Sequence, residues 1–308
     1  MALSAPDPEA ATAAPRRVGL LGVGLMGLPI AVNLMERGFT VTGYRRGSMA
    51  DLEAVGGTAA ASPAELAASS DVLVSILPGA AGLTEVVLGE QGTVRALRPG
   101  TVHIEMSTIE AEAKRRVRDA VVEAGGDLLD CPISGTPPMV GPRRATTFVS
   151  GADVSIESVR AVLDAISGPW VHTGAFGTAT KLKYIANLLL ATHTAAAAEA
   201  MALARHSGLD LELVQRTLDD GIGSSAIWRM RGPLMQRRAW QPAPGPIATL
   251  HPILQQIAST AAENGTTTPV FDAAKALFDN AYEQGQGALD IAAVLDQVDP
   301  PDNAEETA

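Results

Sequence analysis

The run Val18-Gly-Leu-Leu-Gly-Val-Gly-Leu-Met-Gly27 constrains this chain more than any other segment. An apolar stretch, Val18–Leu21, ends in glycines spaced G-x-G-x-x-G and passes at once into an amphipathic stretch, Met26–Arg37, closed by Gly38. This order reads as strand, tight turn and helix. Gly22 permits the turn, Gly24 lets the backbone approach an anion, and Gly27 lets the helix pack closely on the strand. Free N–H groups and the dipole at the helix start favour a pyrophosphate. Gly22, Val23, Gly24, Leu25, Met26 and Gly27 are therefore the expected dinucleotide-binding loop. A second strand, Thr40–Tyr44, follows. An NAD site would place a carboxylate at its end for the ribose hydroxyls, but the chain reads Arg45-Arg46-Gly47-Ser48, with no acid before Asp51. Guanidinium groups suit a 2′-phosphate. Arg45 and Arg46 thus point to NADP(H), with NAD(H) as the second choice.

Further strand-like runs lie at Val72–Leu77, Val102–Met106, Leu128–Ile133 and Thr147–Ser150, separated by amphipathic stretches such as Ile109–Ala124. Continuous apolar strands mean that both sheet faces are covered by helices. From about Thr180 strand signals vanish and helical patterning continues to Val298. The expected fold class is an α/β Rossmann-like N-terminal domain followed by an all-α C-terminal domain. Its divisions are a disordered tail over 1–15, an NADP-binding domain over 16–180, a helical substrate and dimerisation domain over 181–299, and an acidic tail over 300–308. The longest apolar run, Ile185–Ala204, is broken by Asn187, His193 and Glu199, so it reads as a buried helix, not a membrane span.

Composition closes off other classes. With 46% hydrophobic and 19% charged residues the chain can bury a core, and a net charge of −11 disfavours nucleic acid and anionic lipid as partners. Its single cysteine, Cys131, forms no disulfide framework, fits a reducing cytoplasm, and reads as a small packed residue. The opening residues carry Asp7 and Glu9 and no apolar core, so no targeting signal is read there. His103, His172, His193 and His206 show no metal-ligand spacing, and no metal is expected. Trp228 and Trp240 read as core or pocket wall.

Lys183 and Asn187 are i and i+4 on one helix and so share a face, followed by the apolar Leu188-Leu189-Leu190. That setting implies a partly buried polar pair. Desolvation lowers a lysine toward neutrality, as acid/base work on a carbonyl–alcohol pair requires. Lys181 falls on another face and reads as exposed.

Five ordered segments resemble the β-hydroxyacid dehydrogenases, the group containing 3-hydroxyisobutyrate and tartronate semialdehyde dehydrogenases within the 6-phosphogluconate dehydrogenase superfamily. These are Gly22–Gly27, Ser75-Ile-Leu-Pro78, Glu105-Met-Ser-Thr-Ile109, Asp130-Cys-Pro-Ile-Ser-Gly135, and Gly177-Thr-Ala-Thr-Lys-Leu-Lys183 with Asn187. The resemblance implies cofactor contacts at Leu77, Pro78 and Thr108, substrate contacts at Ser134, Gly135 and Thr136, Lys183 as general acid/base, and Asn187 orienting it. It also implies a Rossmann-like domain, a helical domain, and a homodimer or homotetramer. Three positions depart from the family pattern. Thr136 replaces a glycine before Pro137-Pro138-Met139, Ala179 replaces a glycine, and Pro252, within His251-Pro-Ile-Leu254, replaces a lysine. Loss of that cation weakens the case for a small carboxylate substrate. The expected activity is NADP(H)-dependent interconversion of an aldehyde, semialdehyde or keto acid with its alcohol. The alternatives are an imine reductase and a non-catalytic NADP(H)-binding protein.

Overall fold

A computed structural model describes residues 17–301 of the chain. The tail expected over 1–15, and nearly all of the acidic tail expected over 300–308, lie outside the described residues. The chain divides into two units, with the boundary between Thr180 and Lys181.

In the first unit the order is β1 (Arg17–Leu21), α1 (Gly27–Glu36), β2 (Thr40–Tyr44), α2 (Ala50–Ala54), β3 (Thr58–Ala59), α3 (Pro63–Ser69) and β4 (Val72–Ser75). Then come α4 (Ala80–Leu88), β5 (Val102–Glu105), α5 (Ala111–Glu123) and β6 (Asp127–Asp130). The six strands form one sheet in the order β3-β2-β1-β4-β5-β6, and every pair is parallel. Alternation along each strand explains the unbroken apolar runs. Leu20, Val72, Val74 and Leu129 share a core with Ile30 and Leu34 of α1, whereas Leu21, Leu73 and Leu128 face the opposite way, toward α3, α4 and α5. Period-two side chains covered on both faces are what a doubly wound sheet demands.

A second, three-stranded sheet follows. Its elements are β7 (Ile133–Ser134), α6 (Pro137–Val140), β8 (Thr146–Val149), α7 (Asp153–Ser158), α8 (Arg160–Ile166) and β9 (Trp170–His172). The run Leu128–Ile133, expected as one strand, is split. Cys131 N–H still donates to the Glu105 carbonyl at 2.7 Å, but Pro132 has no N–H to extend the ladder, and Ile133 pairs antiparallel with Thr147 instead. Val72–Leu77 likewise ends as a strand at Ser75. Buried Asn33 of α1 donates to the carbonyls of Val140 and Ile166, both at 2.9 Å, tying α1 to α6 and α8.

The second unit is helical: most of α9 (Thr178–His206), then α10 (Leu211–Leu218), α11 (Ala226–Arg237), α12 (Ile247–Glu263) and α13 (Pro269–Glu283). Its core joins Ala191, Ala198 and Met201 of α9 to Trp228, Met235, Leu250, Phe271 and Phe278. Trp228 is thus a core residue, while Trp240 is partly buried with its indole N–H donating to Asp296 at 2.9 Å. Helix α9 is buried on one face only. Ile185, Leu189 and Leu203 are 58%, 47% and 70% exposed, which corrects the expectation of a buried helix. Among the described residues no helix is long and apolar enough to cross a membrane.

Candidate active site

In an open parallel sheet, ligands bind beyond the carboxyl ends of the strands, where the strand order reverses. Here that point lies between β1 and β4. The loop after β1 is Gly22–Met26 and the loop after β4 begins at Ile76, and the two touch. Gly22 has φ +97°, and a Cβ there would lie 2.1 Å from the Ile76 carbonyl oxygen. A Cβ on Gly27 would meet the Gly22 carbonyl at 2.0 Å. Neither position accepts a side chain. Gly24 is different, because a Cβ there meets nothing within 4 Å. Its backbone borders open space at the start of α1, where Met26 provides no side-chain cap and the first turn carries no acid. The glycines therefore fit a dinucleotide: two hold the turn and the third leaves a surface that a pyrophosphate can approach.

The loop after β2 sorts the two arginines. Arg45 donates to both Asp51 carboxylate oxygens at 2.9 and 2.8 Å, to the Val23 carbonyl at 2.5 Å and to the Ser48 carbonyl at 2.6 Å. It braces the glycine loop. Arg46 is exposed and has no hydrogen-bond or ion-pair partner among the described residues.

Leu77 N–H donates to Ser107 Oγ at 2.8 Å and Met106 N–H to the Ser75 carbonyl at 2.7 Å, so Leu77, Pro78 and Thr108 sit on two loops tied together. His103 lies beneath them, with Nε2 2.8 Å from Ser75 Oγ; burial pushes its pKa down to about 3, so it stays neutral. Ser134 is half-buried in β7, opposite Thr146. Gly135 is exposed, but a Cβ there would lie 2.7 Å from that of Ala145. Thr136 stands at the cap position of α6, whose first residue is Pro137. The double proline thus turns the loop straight into a short helix, a position where proline's missing N–H costs nothing. Cys131 is fully buried, and burial raises its thiol pKa, so it is no nucleophile.

On α9, Lys183 is 9% and Asn187 5% exposed, while Lys181 is exposed. Burial lowers the Lys183 pKa to about 8. No ion-pair or hydrogen-bond partner of its ammonium exists among the described residues, so nothing offsets the desolvation. On α12, Pro252 is exposed. Beside it, His251 Nε2 lies 3.0 Å from Asp279 Oδ1, and its ring stacks on Tyr282 at 4.1 Å. Among the described residues no group of His, Cys, Asp and Glu is arranged to hold a metal.

One residue of the region carries no signal in the usual motifs. Lys114 of α5 is fully buried between Glu105 and Asp130, each at 2.7 Å. The clue was its position: Lys114, Val117 and Val121 fall on one stripe of α5, so the lysine points inward with the valines.

Residues 17–174 match the family model described as the NAD binding domain of 6-phosphogluconate dehydrogenase. Residues 177–298 match the one described as NAD-binding of NADP-dependent 3-hydroxyisobutyrate dehydrogenase. An L-threonate dehydrogenase of Cupriavidus necator is 30% identical over 91% of this chain and 95% of its own. The glyoxylate/succinic semialdehyde reductase 1 of Arabidopsis thaliana is 27% identical over 91% of this chain and 98% of its own. A crystal structure of 3-hydroxyisobutyrate dehydrogenase from Salmonella typhimurium superposes with a TM-score of 0.84 at 27% identity, covering 91% of this chain and 99% of that one. With a glycine loop at the switch point of a doubly wound sheet, a helical second unit and these relatives, the chain belongs to the β-hydroxyacid dehydrogenases, NAD(P)-dependent oxidoreductases of the 6-phosphogluconate dehydrogenase superfamily.

Proposed function

We propose that the enzyme is an NADP(H)-preferring reductase and dehydrogenase that interconverts a small aldehyde, semialdehyde or keto acid with its alcohol, with Lys183 as general acid/base. The observation that carries this reading is the Lys183 amine: buried, unpaired, and with its pKa lowered to about 8 by desolvation. At that value both protonation states are accessible near neutral pH, the condition for moving a proton in either direction. When bound, the nicotinamide supplies or accepts the hydride. In reduction the Lys183 ammonium donates its proton to the carbonyl oxygen; in oxidation the neutral amine takes it from the hydroxyl. Asn187, one turn further along the same face, orients the amine or the substrate oxygen. Ser134 Oγ and the Gly135 N–H hold the substrate's other oxygens, with Thr136 beside them. Gly22–Gly27, Leu77, Pro78 and Thr108 hold the cofactor, and Arg46 meets the 2′-phosphate while Arg45 steadies the loop.

Pro252 places no cation where the family pattern has a lysine, so carboxylate anchoring falls to Ser134 and Gly135. This supports uncharged or longer carbonyl compounds beside the short hydroxy and oxo acids in the relatives' names. The apolar face of α9 supports a homodimer or homotetramer, and the single buried thiol suits the cytoplasm. The test is NADPH consumption with glyoxylate, succinic semialdehyde, longer aldehydes, ketones and a cyclic imine, and NADP+ reduction with threonate. Turnover with an aldehyde or keto acid supports the proposal. Turnover with the imine alone, or tight NADPH binding with no turnover, overturns it.

A further inference from the structure

The ammonium of Lys114 lies within 2.7 Å of three oxygens, two of them hydrogen-bond acceptors and the third an ion-pair partner. It donates to the Ser107 carbonyl at 2.6 Å and to Asp130 Oδ1 at 2.7 Å, and lies 2.7 Å from Glu105 Oε2. The remaining oxygens are also engaged. Glu105 Oε1 accepts from the Ser107 N–H at 3.0 Å, so that turn is gripped by both its N–H and its carbonyl. Asp130 accepts from the Thr180 N–H at 2.9 Å and from Thr180 Oγ1 at 2.7 Å, in the first turn of α9. Ser150 Oγ donates to Asp130 and accepts from the Gly177 and Ala179 N–H groups at 3.2 Å. Two carboxylates against one ammonium leave one negative charge in a fully buried cluster. That excess stands at the N-terminus of the 29-residue helix α9, where the dipole favours it. Burial opposes the Lys114 charge, yet the two carboxylates more than offset it and hold its pKa above the ordinary value, so it stays cationic.

We propose that Lys114 is a positioning residue. Through Glu105, Asp130 and the Ser107 carbonyl it locks the Ser107–Thr108 turn, the start of the substrate loop and the first turn of α9 into one piece. Helix continuity carries that fix from Thr180 one turn onward to Lys183. The proposal rests on the reading of Lys183 as the proton donor. Its physical content is that a buried ionic cluster specifies geometry where an apolar core would only fill volume.

Lys114→Met alone would leave two buried carboxylates without a counter-charge and cost the fold, so the test uses gentler changes. Thr180→Val deletes the hydroxyl donor to Asp130 and keeps the shape. Glu105→Gln with Lys114→Met removes one buried charge of each sign. Each variant is compared with wild type for kcat, the pH midpoint of kcat and melting temperature, with Thr180→Ser as the rescue and Lys183→Met alongside. We expect kcat to fall about ten- to a hundredfold, the scale of small misplacements. The midpoint should move upward as water reaches a less firmly held Lys183, and Thr180→Ser should restore both. A lower melting temperature with kcat and midpoint unchanged overturns the proposal, leaving the cluster a brace. If Lys183→Met is inactive while Thr180→Val behaves as wild type, only the positioning role fails. If Lys183→Met retains full activity, the proton-donor reading fails, and the positioning role with it.

Discussion

Arg45 and Asp51 face each other in a fork-to-fork pair, with Nη1–Oδ2 at 2.9 Å and Nη2–Oδ1 at 2.8 Å. A guanidinium so engaged, and also donating to the Val23 carbonyl, supports the glycine loop from behind. Adjacent arginines in sequence therefore have separate tasks. Arg46→Ala should weaken NADPH binding by about 1.5–3 kcal/mol, one charge-assisted contact, and leave NADH binding nearly unchanged. Arg45→Ala should weaken both cofactors together, because the loop it braces serves both. Fluorescence titration of each variant with NADPH and NADH checks this, and equal losses for the two cofactors in Arg46→Ala would refute it.

Gly22 and Gly24 should separate folding from binding. Gly22→Ala places a methyl against the Ile76 carbonyl in a left-handed backbone, and should lower stability by roughly 1–3 kcal/mol from backbone strain alone, before the clash. Gly24→Ala meets no protein atom within 4 Å, so its melting temperature should hold while NADPH affinity drops. A Gly24→Ala protein with wild-type affinity would remove the pyrophosphate from this loop.

How far the sequence could be read follows from how local each cause is. The glycine loop, β1, β2 and the face that Lys183 shares with Asn187 depend on neighbours within a turn or a strand, and patterning reveals them. Thr58–Ala59 and Trp170–His172 are strands only because another strand is beside them; two and three residues carry no periodicity. The break at Pro132 had a local cause, the missing N–H, which the apolar run around it concealed. The spacing of Arg45 and Asp51 permits their pairing, but the turn between them, which brings the two forks face to face, is set by the fold. The Lys114 cluster joins residues 105, 114 and 130 across two strands and a helix. No window of sequence holds that information, although the inward stripe of α5 held half of it.

The pH dependence of turnover follows from Lys183. Its pKa lies near 8, so in the reducing direction the protonated acid is lost as pH rises through about 8, and kcat should fall above that point. In the oxidising direction the neutral base is required, and kcat should rise through the same midpoint. Opposite limbs with a shared midpoint are the expected pair. His103, held neutral with its pKa near 3, should contribute no ionisation between pH 5 and 9. Profiles flat across pH 7–9 in both directions would rule out Lys183 as the proton carrier.

Assembly should follow the apolar face of α9. Ile185, Leu189 and Leu203 are exposed along one side, with the small Ala196 and Ala200 between them. Sedimentation of the wild type at micromolar concentration should give a dimer or larger species, and Leu189→Glu with Leu203→Glu should shift it toward monomer by burying unpaired charge. A wild-type monomer of 31.7 kDa would refute this.

Lys183→Met should trade activity for stability. The variant keeps the volume and removes the proton carrier, so kcat should fall by about 10²–10⁴, with NADPH affinity little changed because Gly22–Gly27 belongs to another strand–helix unit. Stability should move the other way. A lysine titrating near 10.5 when unfolded and near 8 when folded binds its proton more weakly in the native state. Below pH 8 the folded protein therefore carries the full penalty, about 3 kcal/mol at 1.36 kcal/mol for each pKa unit. Between pH 8 and 10.5 the unfolded chain holds more protons, so wild-type stability should rise with pH across that window. Lys183→Met lacks this group, so near pH 7 it should unfold at higher denaturant concentration than wild type, and the gap should narrow above pH 8. Urea melts at pH 7 and pH 9.5 measure both points. An inactive variant no more stable than wild type at pH 7 would mean that the Lys183 ammonium is solvated in the folded protein, and its value as a tuned acid would have to come from another source.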